Sequence, residues 1–156
     1  GYYTHMRNEG DRRLEAIEEL SAAGIPVAVY IAPVIPLLND GELEAILEAC
    51  AERGATQGLY TLLRLPREVR ELFAQWLRRW YPDRAAEVWR AIQAMHEGRD
   101  YDPSFGKRMV GTGARAQALG LRFDAAAARL GMSFPGRSLA TTLFRAGKGE
   151  PQGSLF

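Results

Sequence analysis

Three features of this 156-residue chain predict an α/β fold. Val27–Val34 is an unbroken apolar run rich in β-branched residues. Gln57–Leu65 is a second, mostly apolar run. Around both, apolar residues recur at helical spacing. An apolar run without polar alternation reads as a parallel strand covered on both faces. Two such strands with one helix between them make consecutive β/α units joined by a right-handed crossover. Two parallel strands are not a stable sheet on their own. The chain therefore reads as part of a barrel or open sheet whose other strands lie elsewhere.

The elements follow in order. Residues 1–6, GYYTHM, have no periodicity and end in His-Met, a common joint between vector and coding region. They read as a tag or disordered lead-in. Arg12–Ala23 is a helix with Leu14, Ile17, Leu20 and Ala23 on one stripe, ended by Gly24. Val27–Val34 is the first strand, and Pro33 and Pro36 stop its ladder because neither has an N–H to donate. Asn39 or Asp40 offers a side-chain oxygen to cap the next helix, Glu42–Arg53. That helix buries Leu43, Ile46, Leu47 and Cys50, with Asp40, Glu42 and Glu44 near its positive end. The second strand, Gln57–Leu65, carries Arg64 at its C-terminal end. A buried cation there needs water or an anion: it either snorkels to the rim or clamps a carboxylate or phosphate. Helices follow over Glu68–Tyr81, with Val69, Leu72, Phe73, Trp76, Leu77 and Trp80 inward, over Arg84–Glu97, and over Ala114–Leu130. His96 falls near a helix C-terminus, where an imidazolium suits the dipole.

Composition narrows the function classes. Hydrophobic residues make up 47% and charged residues 25% of the chain, as in a soluble globular protein. No apolar run approaches the ~20 residues of a membrane span, so no membrane partner and a cytoplasmic location are expected. Cys50 is the only cysteine. That excludes an internal disulfide framework and any complete cysteine-ligated metal site. Net charge is +1 but unevenly spread. Glu9–Arg53 holds ten acidic and three basic residues, and Arg99–Lys148 nine basic and three acidic. A basic C-terminal third fits a nucleic-acid partner or a solvated helix face with a basic tail.

Two loops are candidate sites. In parallel α/β folds ligands bind at the C-terminal ends of strands, which points to Ala32–Asn39. Arg99–Gly113, RDYDPSFGKRMVGTG, sets Gly106, Gly111 and Gly113 among Lys107 and Arg108. Such a loop ahead of a helix can cradle phosphate, although its spacing is neither a P-loop nor a dinucleotide fingerprint. An irregular packing loop is the other reading.

APVIPLLND (32–40), YTLLRLPREVRELFAQWL (60–77), YPDRAAEV (81–88), FGKRMVGTG (105–113) and QGSLF (152–156), taken in order, resemble the C-terminal half of bacterial radical SAM proteins of the spore photoproduct lyase-like, or DNA repair photolyase-like, group. The resemblance implies the C-terminal part of a partial (β/α)6 barrel. Residues 7–81 would be its last β/α units, 82–131 a helical extension and 132–156 a mobile tail. It also implies that the two strand ends line a pocket for S-adenosylmethionine through Ala32, Pro33, Ile35, Leu63, Arg64 and Leu65, with Arg64 on the methionine carboxylate or a substrate phosphate. Lys107 and Arg108 would serve nucleic acid or phosphate. The family's lyase and DNA-repair chemistry uses CxxxCxxC, three thiolates on a [4Fe–4S] cluster that binds S-adenosylmethionine. Only Cys50 is present here, so no catalytic residue is assigned and the chain alone is expected to be inactive. It needs a missing N-terminal half-barrel, or it self-associates through exposed strand edges. At Leu37 the family would have glycine. Finally, QGSLF resembles the pentapeptide with which bacterial proteins bind the DNA sliding clamp, matched at Gln152, Leu155 and Phe156 and departing at Gly153. The alternative function is thus a non-catalytic module tethered to the clamp.

Overall fold

A computed structural model describes residues 2–96, 98 and 109–132. Five helices and two strands follow one another: α1 (Tyr2–Ala22), β1 (Ala28–Val34), a single 3-10 turn (Asp40–Glu42), α2 (Leu43–Glu52), β2 (Gln57–Leu62), α3 (Arg67–Trp80), α4 (Ala85–Ala94) and α5 (Gly113–Arg129). β1 and β2 pair in parallel, from Ala28 opposite Gln57 to Val34 opposite Leu62, with an irregularity between Ile31 and Val34. The α/β class and the parallel pair are as the sequence predicts.

Two cores hold these elements. In the first, Val29, Val34, Leu62 and Gly58 on one sheet face meet Leu43, Leu47 and Cys50 of α2 and Ala116, Leu119, Phe123 and Ala126 of α5. A Cβ on Gly58 would stand 2.9 Å from a Leu47 methyl, so α2 lies directly on the strand backbone. Tyr60 packs its ring on Phe123, centroids 4.7 Å apart. Arg122 of α5 clamps the start of α2, donating from Nε and Nη2 to the two Glu44 carboxylate oxygens at 2.7 Å each and from Nη2 to the Asp40 carbonyl at 3.0 Å. The second core sits past the strand ends, where Leu65, Leu77, Val88 and Ile92 are buried with Ile35, Leu37, Leu38 and Leu63 around them.

Four expectations need correction. The first helix begins at Tyr2, not Arg12, and takes in Tyr2–Met6 of the six residues read as a lead-in. Helical backbone needs no amphipathic stripe, and Gly10, at a cost of about 1 kcal/mol, is the only breaker there. β1 is covered on one face, not both: Val29 and Val34 are buried, whereas Ala28, Tyr30 and Ala32 are exposed, Tyr30 by 53%. β2 ends at Leu62 because the chain leaves the sheet there to enter the second core. Of the six apolar residues of α3, only Leu77 is buried. Phe73 is half-buried, and Val69, Leu72, Trp76 and Trp80 are exposed.

Candidate functional site

The C-terminal end of β1 leads into a loop whose polar side chains are spent on its own backbone. Asn39 Oδ1 accepts from the Ile35 N–H at 2.6 Å, and Asn39 Nδ2 donates to the Pro33 carbonyl at 3.0 Å. Asp40 Oδ1 accepts from the Leu37 N–H at 2.8 Å. Neither side chain caps a helix: the 3-10 turn and α2 both begin without a side-chain cap. The reason is geometric. Two prolines leave the turn short of local donors, and Asn and Asp side chains close such turns on neighbouring N–H groups. Arg84 adds an outside tie, donating from Nη2 to the Leu37 carbonyl at 2.6 Å. Leu37 has φ of 66°, the left-handed region that disfavours a branched side chain. The loop is therefore rigid. The Ala32–Pro33 bond at its start is cis.

The end of β2 lies alongside. The Leu63 N–H donates to the Val34 carbonyl at 2.9 Å, and the Leu62 N–H reaches across to the Met109 carbonyl at 2.9 Å. Arg64 Nη1 contacts Met109 Sδ at 3.4 Å. Arg64 Nε is buried and has no hydrogen-bond partner among the described residues. A guanidinium N–H left unpaired out of water costs free energy that an anionic acceptor would recover.

The six residues predicted to line a cofactor pocket thus divide. Ala32 and Pro33 are exposed at the strand end. Ile35, Leu63 and Leu65 pack into the second core, Leu65 fully buried. Arg64 has an unspent donor. Lys107, Arg108, Gln152, Leu155 and Phe156 lie outside the described residues. Of the glycine-rich loop, the described part packs rather than cradles: the Thr112 N–H donates to the Met95 carbonyl at 2.7 Å, and a Cβ on Gly111 would meet that same oxygen at 2.7 Å.

Sequence reasoning missed the open face of the sheet. Tyr30 of β1 and Thr61 of β2 join there by a hydrogen bond between their hydroxyls. The available signal was a tyrosine inside an otherwise aliphatic run. His96 lies just past the C-terminus of α4, as read from the sequence, but it is buried, and among the described residues its Nδ1 has no hydrogen-bond partner, nor has Thr112 Oγ1. An open groove of about 580 Å³ runs beside the loop, lined by Leu37, Asp83, Glu87, Arg90 and Arg115 among others. It contains none of the predicted cofactor residues.

Cys50 is buried on α2 against the first core, and burial raises its thiol pKa. One buried thiol does not fit a cluster that needs three thiolates. Among the described residues no group of three His, Cys, Asp or Glu side chains is placed to hold a metal ion. Nor is any described helix long and apolar enough to cross a membrane. The chain matches no family model, no curated protein and no solved structure.

Proposed function

We propose that this chain is the C-terminal part of a radical SAM enzyme of the spore photoproduct lyase-like group, acts on a nucleic-acid-related substrate, and is inactive alone. The observation that carries this reading is the one-sided sheet. Helices cover one face of β1 and β2; on the other face β1 presents Ala28, Tyr30 and Ala32 to solvent, while Thr61 of β2, hydrogen-bonded to Tyr30, is buried. A parallel sheet normally has both faces covered, so the open face is the part of a partial barrel that a further half encloses. Leu37 supports the same reading, since its left-handed backbone is the conformation a glycine would supply.

On this reading the cluster is held by the other half, because Cys50 cannot contribute. What this chain contributes is a rigid strand-end loop and Arg64. The Arg64 guanidinium would bind the carboxylate of S-adenosylmethionine at the mouth of the strands.

The test begins with the coding sequence. Its full product is expected to carry CxxxCxxC ahead of residue 7, to hold a [4Fe–4S] cluster when prepared without oxygen, and to cleave S-adenosylmethionine. Arg64→Ala in that product should weaken S-adenosylmethionine binding about tenfold, the size of one charge-assisted hydrogen bond, with the cluster retained. A full product without the motif, or one that holds a cluster but leaves S-adenosylmethionine intact, overturns the reading.

The second reading, a tethered module, rests on the match of Gln152, Leu155 and Phe156 to the clamp-binding pentapeptide. Titrating the sliding clamp against the chain and its Leu155→Ala/Phe156→Ala variant separates the two. Binding lost in the variant supports the tether, and equal or absent binding removes it.

A further inference from the structure

Helix α3 carries an apolar stripe that the described fold leaves largely exposed, although the Trp76 ring rests partly on Phe73 and Tyr81. Val69, Leu72, Trp76 and Trp80 recur at intervals of three and four residues, so they share one face. All four are exposed, Leu72 by 65% and Trp80 by 62%. At 1.5 Å per residue the stripe is about 16 Å long. Apolar strips with aromatic anchors mark interaction surfaces.

The sequence of the stripe is complementary to itself when reversed. Set antiparallel to a copy of α3, Val69 faces Trp80 and Leu72 comes within one residue of the level of Trp76, a smaller residue against a larger one in each case. Charge follows the same symmetry. Glu68 lies in the first turn of α3, and Arg78 and Arg79 in its last. Among the described residues, neither Glu68 nor Arg79 has an ion-pair partner: Arg79 lies over the Trp80 ring at 5.6 Å, and Arg78 is the cation that pairs with Glu71, at 3.5 Å. Reversal brings each Glu68 to the Arg79 of the copy, twice per pair, and also opposes the two helix dipoles. A patch that meets itself about a two-fold axis is an isologous interface.

We propose that a second copy of this chain covers the stripe, giving a two-fold dimer through antiparallel α3 helices. This goes beyond the proposed function and does not depend on it. A strip of this length buries less than a standard interface, so the dimer forms in the micromolar range.

Light scattering of the full chain over about 1–100 μM, a range suited to so small an interface, tests this. The mass is expected to rise from 17.3 kDa toward twice that value. Leu72→Asp changes an exposed residue and should hold the mass at the monomer with the helical circular dichroism unchanged. Glu68→Arg and Arg79→Glu should each weaken association about tenfold, as like charges meet. The double variant should restore it, because the pairs re-form with their signs exchanged. A monomer at all concentrations overturns the proposal. So does a dimer that survives Leu72→Asp, one abolished by Tyr30→Asp on the open sheet face instead, or a double variant no better than the singles.

Discussion

Leu37 is the residue at which backbone and side chain disagree most. Its φ of 66° costs about 1–2 kcal/mol for a non-glycine residue. Its half-buried side chain returns a similar amount by packing in the second core. Leu37→Gly should therefore change stability in urea by less than about 1 kcal/mol. Leu37→Val, with a β-branch in the same conformation, should cost about 2 kcal/mol. The opposite order would mean that packing, not backbone, decides the site. Glu44 offers a pH test. The hydrogen bond from Arg122 holds its carboxyl below the usual range against a smaller opposing effect of burial. A depressed folded pKa gives stability that is intact above the unfolded value, about 4.3, and is lost as pH falls through the folded one. For a half-exposed pair this is about 0.5–1 kcal/mol. Glu44→Gln should lose that amount at pH 7 and almost nothing at pH 3. Equal loss at both values would place the effect in packing.

The junction of β2, α4 and α5 turns on Gly111. Its φ is 71°, and an added Cβ would lie 2.7 Å from the Met95 carbonyl and 2.7 Å from a Leu62 methyl. Gly111→Ala should therefore cost about 2–3 kcal/mol, left-handed strain plus a backbone clash. Gly98→Ala, with φ of 80° but no described residue within 4 Å of the added Cβ, should cost about 1 kcal/mol, the strain alone. Similar losses in urea melts would show that the close approach is not real. The elements themselves were legible in the sequence, because the period of apolar residues within a short window sets helix or strand. Both strands, α2 and α5 lie within a few residues of their predicted bounds. What no window contains is the partner of a face. The stripe of α3 and the run of β1 were read as buried, and each keeps an open side. The candidate site was legible in its position, at the strand ends, but not in its details. Asn39 and Asp40 bear oxygens suited to a helix cap, yet the short turn between the prolines takes both. Ile35, Leu63 and Leu65 look alike as lining or as core, and the second core claims them.

At the scale of the whole molecule, helices shield one side of a two-stranded sheet and leave the β1 part of the other side to solvent. The charge halves fit the arrangement. Acidic α2 meets α5 through Arg122–Glu44 and Arg129–Glu48. The buried thiol of Cys50 belongs to that shielded side. It should react with a disulfide reagent only as fast as the chain unfolds, since burial disfavours the thiolate. Rapid labelling of the folded chain would contradict the packing of α2. The proposed function requires the open sheet to continue into a further half-barrel. Amide hydrogen exchange along β1, Ala28–Val34, tests it most directly when the chain alone is compared with the full product of its coding sequence. Fast exchange is expected at the outer-edge amides of β1 in the chain alone, and strong protection of the same amides in the full product. Identical exchange in both would contradict it, leaving β1 as a true edge and the sheet complete with two strands.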